Sequence, residues 1–316
     1  MGEKSFSDLN SRRRFNKDTV SIYMMLFPSF FLFVCISVYP FMWAVRYVFY
    51  SYDGLTKPYF LGFENFVRAF TRDKILWKGV INTFEYAIRK LLFIIPLALI
   101  TAVLLNKNTK FKDIFRILFF VPTVISSAIA ALIFYFIYSP YNGVLNSLLS
   151  AIGLIKSPID WLGNVSLVMG SIVVLAVWSG FGNYMILFLA GLQSIPDELN
   201  ESATLDGASA FQHFFNITLP LLGPITKVIL LLAITTALKD YQTIMVMTNG
   251  GPLDRTQVMY LYVYHLMFGS GGLGPSTGGT RLQYGYGATV GLISSVISGI
   301  ITIIYLKYSK KMDEIY

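Results

Sequence analysis

Residues 200–220 read NESATLDGASAFQHFFNITLP and hold Glu201 and Asp206 with no lysine or arginine between them. Two carboxylates without a nearby nucleophile or histidine base suit recognition of a basic partner better than acid–base catalysis. The two histidines, His213 and His265, are too few and too far apart for a zinc site. The chain has no phosphate-cradling GxxxxGK[ST], no GxSxG and no HExxH. No catalytic residue, metal or cofactor is therefore expected, and any ATP must be hydrolysed by another polypeptide.

The other polar residues that matter lie inside apolar runs. Lys239 and Asp240 fall about two-thirds along one run, where ionisable groups are costly and usually face a cavity or a partner. Their adjacency turns them about 100° apart on a continuous helix, so Lys239 is expected to reach outward and Asp240 to answer another helix. The alternative puts Asp240 and Tyr241 on a solute path. Thr123 and Ser127 are four apart and share a helix face, as do Ser179 and Asn183 beside Trp178. Hydroxyls, amides and aromatic faces suit sugars, although such groups more often join helices to one another.

The elements that must hold these residues are set by composition. Of 316 residues 55% are hydrophobic and 13% charged, against about 25% charged in an ordinary soluble domain. Mean hydropathy is +0.60. Too few charges remain to cover a water-facing surface, so the chain is expected to be an all-α membrane protein with the lipid bilayer as its solvent. Six windows of about 20 apolar residues fit the hydrocarbon thickness. They span residues 22–44, 81–105, 115–138, 166–192, 225–247 and 288–307, leaving terminal tails at 1–21 and 308–316. Glu85, Arg89 and Lys90 interrupt the second, and are expected at the interface.

The net charge of +8 is not a nucleic-acid signal, because the basic residues sit mainly at the ends of the apolar runs. The single cysteine, Cys35, excludes an internal disulfide and reads as a buried free thiol. The first apolar run lacks a small-residue cleavage site and reads as a retained anchor. Basic residues favour the N-terminal tail, the 106–114 loop and the C-terminus. That bias puts both termini in the cytoplasm of a multi-pass cell-membrane protein, although the first external loop is basic too. The same orientation makes the acidic loop 193–224 cytoplasmic, where positive charge is the rule.

That loop spells two short helices. Ser194 with Asp197 and Pro196 opens the first, about 196–205, and Gly207 stops it. Ser209 and Gln212 form a second capping box, followed by a Phe211, Phe214, Phe215 stripe. Pro220 and Pro224 end that helix and begin the fifth span. On local physics alone the loop is either an amphipathic surface segment or a plug for a partner's groove.

Here the residues resemble a family. Glu201-Ser202-Ala203, three residues, Gly207, nine residues, then Ile217-Thr218-Leu219-Pro220 is similar to the EAA loop of ABC importer permeases. Ser202 for the usual second alanine is the one departure. WSGFGNYMILFLAGLQSIP (178–196) and TNGGPLDRTQVMYLYVYHLMF (248–268) resemble the sugar subgroup, of the type of the maltose importer's larger permease subunit. The resemblance runs from about residue 25 to the end. Extra N-terminal spans and a large external domain of that subunit type are expected to be absent, and a glycine-rich insertion at 269–287 is expected as a flexible loop.

The resemblance implies a coupling helix in which Glu201, Ser202, Ala203, Asp206, Gly207, Ile217, Leu219 and Pro220 engage a cytosolic ATPase dimer. It also implies a second, homologous permease as heterodimer partner and an extracellular or periplasmic solute-binding protein. The stretches with Thr123, Ser127, Trp178, Ser179, Asn183, Asp240 and Tyr241 would border the solute cavity. The expected solute is a sugar or oligosaccharide; another solute such as glycerol phosphate or a uronic-acid oligomer, for which only Lys239 is available at depth as a cation, a secondary transporter and a membrane enzyme are the alternatives. A secondary transporter should show repeats with matching broken helices, which are not evident.

Overall fold

The computed structural model describes the backbone of residues 4–107, 110–269 and 282–313. Most of the predicted 269–287 insertion lies outside the described residues. Helices dominate, because a chain in lipid must satisfy each peptide group within its own segment.

α1 (Lys4–Phe33) passes through one π turn, Val34–Val38, into α2 (Tyr39–Arg46). The π turn lies next to Pro40, whose ring nitrogen cannot donate to the helix ladder. The helix thus begins at Lys4, well inside the stretch expected as a tail. A two-residue ladder pairs β1 (Tyr50–Ser51) with β2 (Tyr59–Phe60), and α3 (Glu64–Thr71) follows. α4 (Lys74–Asn106) is the longest helix, started by Asp73, whose carboxylate accepts from the Leu76 amide.

The third apolar run is not one helix. α5 (Lys112–Val124) and α6 (Ser127–Ile137) meet at 97°. Ile125 is extended, and the Ser126 hydroxyl starts α6 by accepting from the Ile129 amide. The shared face expected for Thr123 and Ser127 therefore does not exist as a helix face. α7 (Val144–Ala151) leads to a loop organised by buried Asn146, which bonds Ile159 through both its backbone groups and accepts from the Trp161 indole.

α8 (Val168–Gln193) is the hub. Ala98 and Ala102 of α4 and Gly180 of α8 allow close approach, with Ile94 packed against Gly180. A side chain at Gly182 would meet the Phe119 carbonyl and Thr123, so α5 lies directly on that glycine. α9 (Asp197–Leu205), α10 (Ala210–His213) and the short α11 (Leu219–Leu221) lead into α12 (Gly223–Lys239).

The fifth apolar run is also interrupted. α12 ends at Lys239, Asp240 is extended, and α13 (Gln242–Met247) restarts the helix. α14 (Met259–Phe268) packs on α4 and on α15 (Tyr284–Asp313), whose Tyr305 hydroxyl reaches back to the Lys227 carbonyl.

Among the described residues four helical segments are long and apolar enough to cross a membrane: Thr19–Phe49, Lys74–Asn106, Val168–Gln193 and Tyr284–Lys310. Two bent pairs, α5 with α6 and Ala210–Leu221 with α12, raise the number to as many as six. The first segment buries none of its apolar window, so its aromatic side chains from Tyr23 to Trp43 and Cys35 are exposed. The expectation of a buried thiol is thus corrected: among the described residues no other element covers Cys35.

Candidate functional site

One face of α4 explains the charges that interrupt its apolar run. The turn after α13 needs left-handed backbone at Asn249, Gly250, Leu253 and Asp254, and it presents its carbonyls to α4. Lys78 donates to the Leu253 carbonyl at 2.6 Å, and the Asn82 amide donates to the carbonyls of Asp254 and Gln257. Glu85 takes both guanidinium nitrogens of Arg255 at 2.6 and 2.7 Å and is also paired with Arg89. Those hydrogen bonds hold Arg255 above its ordinary pKa. Glu85, itself paired with Arg89, thus clamps the 249–258 turn to α4.

The same turn encloses His265. Its Nε2–H donates to Asn249 Oδ1 at 2.8 Å, and its Nδ1 accepts from the Gln257 amide at 3.2 Å. Burial lowers its pKa, only partly opposed by the Asp254 charge, and the neutral tautomer fits both partners.

Farther along α4 lies the feature that shapes the cavity. Lys90 pairs with Asp240 at 2.8 Å, and the Tyr86 hydroxyl donates to the same carboxylate oxygen at 2.5 Å. All three side chains are largely withdrawn from solvent. The break between α12 and α13 turns Asp240 toward α4 while leaving Lys239 exposed beside it.

Lys90, Lys239 and Asp240 line a cavity of 470 Å³ between α4, α5, α6, α8 and α12. Of the residues expected on a solute path, Thr123, Ser127, Ser179, Asn183 and Asp240 all border it. Asn183 and Ser127 are exposed, with no hydrogen bond from either side chain among the described residues. Thr123 and Ser179 donate to carbonyls one turn back in their own helices. Tyr184 and Thr236 share a hydrogen bond of 2.9 Å across the α8–α12 seam.

Two expected residues lie elsewhere. Trp178 stands 5.2 Å from the Phe134 ring and lines a separate, apolar cavity of 790 Å³ with Tyr138, Trp161 and Phe181. Its direction on α8, one residue before Ser179, turns it about 100° away from the polar wall. Tyr241 packs its ring 5.9 Å from Tyr264, because the chain has already left the α12 helix there. Conversely, Lys90, Thr235, Thr236, Lys239 and Thr243 line the polar cavity and were not among the expected path residues. Asp240 was the signal: a carboxylate at that depth requires a cation, and Lys90 was available in the second run.

At another part of the molecule, Ser51, Asp53, Glu64, Arg68, Arg72 and Gln283 line a polar cavity of 660 Å³. Asp53 is lowered to about 2 by the Thr56 amide and hydroxyl and the Leu55 amide. Beneath it Asp73 accepts from both Tyr262 and Tyr286, tying the start of α4 to α14 and α15.

The 193–224 loop is compact. α9 closes with Gly207 at φ +72° and an Ala208 amide bonded to the Ala203 carbonyl, the pattern of a Schellman stop. Ser209 and Gln212 complete a reciprocal capping box, and the Phe211 and Phe215 rings approach to 4.4 Å. Glu201, Ser202, Asp206 and Gly207 are exposed, Ala203 is buried, and Ile217, Leu219 and Pro220 are half-buried against the start of the next helix. A capped acidic helix therefore projects from a hydrophobic base.

A helical bundle with a polar cavity at membrane depth and a capped polar loop is the construction of a membrane transport permease. Residues 94–314 match the family model described as binding-protein-dependent transport system inner membrane component, and the chain belongs to that family. A probable ABC transporter permease of Bacillus subtilis, YesP, is 33% identical over 303 residues, 95% of this chain and 94% of the relative. The multiple sugar-binding transport system permease MsmF of Streptococcus mutans is 34% identical, over 87% of this chain and 90% of its own length. The trehalose/maltose permease MalF of Thermococcus litoralis is 33% identical, over 80% and 81%. A chain in the crystal structure of a bacterial ABC transporter that imports the acidic polysaccharide alginate has the same fold, with a TM-score of 0.78. That likeness covers 96% of this chain and 99% of the other at 24% identity.

Proposed function

We propose that this permease subunit serves an ATP-driven importer whose solute is a sugar or short oligosaccharide. The observation that carries the proposal is the cavity wall. Ser127, Ser179, Asn183, Thr235 and Thr236 offer hydroxyl and amide groups around one space, with Ile94 and Tyr184 as apolar ground. Sugars present hydroxyl rims and apolar C–H faces, and 470 Å³ lies within the ~300–1,000 Å³ of small-ligand sites. The names of relatives for multiple sugars and for trehalose and maltose support the same class.

In this reading six spans cross the membrane with both termini in the cytoplasm, and the 193–224 loop faces a cytosolic ATPase. Glu201 and Asp206 meet a basic socket there. Ala203 seats α9, while Ile217, Leu219 and Pro220 pass its displacement to α12. A second permease completes the solute path, and an external binding protein delivers the solute. ATP binding favours one of two arrangements of the spans, since a ligand shifts an equilibrium only by its differential affinity for the two states.

Uptake by the reconstituted importer tests this. Asn183→Leu and Ser179→Leu are expected to cut sugar uptake by about tenfold or more, as loss of polar contacts to a bound hydroxyl implies. Co-purification of the ATPase should be retained. Full uptake in both variants would contradict the cavity assignment.

A further inference from the structure

Lys239 is the residue for which the fold provides no answer. It ends α12, and the following break turns the neighbouring carboxylate of Asp240 away to Lys90 and Tyr86. Lys239 stays exposed on the cavity wall, with no carboxylate within ion-pair distance among the described residues. Three charged side chains border this cavity. Lys90 and Asp240 cancel, and one positive charge remains.

An ammonium at membrane depth is costly and normally has a partner. The carboxyl end of α12 supplies only about half a negative charge and is spread over several carbonyls. The remaining wall is neutral: hydroxyls, the Asn183 amide, and apolar groups.

Resting on the sugar reading above, we infer that the cavity takes an acidic sugar, with Lys239 receiving a single sugar carboxylate while Asn183 and Ser127 bind neighbouring hydroxyls. A carboxylate carries one negative charge and matches one ammonium. A phosphate ester carries about −1.5 to −2 at neutral pH and calls for a second cation, yet the other cavity lysine is already committed to Asp240. A neutral sugar would bring no counter-charge to Lys239, whereas a uronate would.

The test is equilibrium binding to the purified assembly of both permeases and the ATPase in lipid nanodiscs. The probes are radiolabelled galactotriose with one galactose replaced by galacturonate, galactotriose itself and glucose 6-phosphate at low ionic strength. The mono-uronate trisaccharide is expected to bind about tenfold tighter than galactotriose, the size of one charge-assisted hydrogen bond. Lys239→Gln should erase that preference and Lys239→Arg should keep it, with ATPase co-purification equal to wild type in both.

Equal or tighter binding of galactotriose, or a preference unchanged in Lys239→Gln, would overturn the inference and leave the sugar reading standing. Preferred binding of glucose 6-phosphate would overturn the carboxylate assignment. Binding of none of the three by an intact, ATPase-loaded assembly would overturn the sugar reading itself, and the inference with it.

Discussion

Asp240 concentrates the residue-scale physics. Its carboxylate is held by Lys90 and Tyr86, with all three side chains largely withdrawn from solvent. Removing one member of a buried pair leaves a naked charge and costs about 3–5 kcal/mol, whereas an apolar replacement of both is often close to neutral. Asp240→Leu should therefore sharply lower the thermal unfolding midpoint in detergent. The double variant Lys90→Met with Asp240→Leu should recover most of that loss. Equal destabilisation in both would show that the pair is not energetically coupled.

His265 gives a pH dependence of definite sign. Burial lowers its folded pKa, so the unfolded chain binds more protons between that value and the ordinary ~6.5. The stability it contributes is complete above about pH 6.5 and falls away below it. Wild-type protein should lose more of its thermal midpoint between pH 7.5 and 5 than His265→Gln does, and identical pH profiles would contradict the assignment. At this scale the sequence disclosed Ser179 and Asn183, which share a helix face, and Asp240, which had to answer another helix. It did not disclose Lys90 or Thr236, because a lysine near other charges reads as interfacial and a threonine in an apolar run reads as filler.

At the scale of elements, legibility follows the range of the forces. The α9 stop and the Ser209 capping box depend on residues within a few positions of one another, so their spelling is complete in the 193–224 segment. The 97° bend between α5 and α6 was missed because summed hydropathy has no direction: the run 115–138 is equally apolar straight or bent. Ser126, which starts α6, and Pro122 were the local marks of it. The break at Asp240 was missed for a related reason. An extended residue there is stabilised by partners on α4, more than a hundred residues away in the chain.

The stop itself is open to test. Nothing surrounds the position a Cβ would take at Gly207, so a substitution there meets only backbone strain. Gly207→Val should cost about 1–2 kcal/mol locally. The global unfolding midpoint should move little while ATPase association weakens. A large global loss with unchanged association would assign Gly207 to general stability instead.

For the whole molecule, the distribution of exposed surface carries the argument. Apolar side chains cover the outside of the bundle, as a bilayer requires, and the first segment buries none of its apolar window, although its end at Val48 is packed against α3 and α15. Polar groups are gathered into the α4 clamp, the cavity beside Lys90 and Asp240, the separate cavity lined by Asp53, Glu64, Arg68 and Arg72, and the 193–224 loop. The first two are bound to one another through α4. Motion of α12 relative to α4 would strain or break the Lys90–Asp240 pair, which in the proposed mechanism would join loop displacement to the cavity wall.

In the proposed mechanism α9 transmits an ATPase's work to this wall. The most direct measurement is a tagged purification from native membranes in mild detergent, with mass spectrometry, comparing wild type with Glu201→Lys and Gly207→Arg. The account predicts that wild type brings down an ATPase and a second permease, and that both variants keep the permease while losing the ATPase. An intact wild-type protein that retains no ATPase, or variants that retain it fully, would contradict the account.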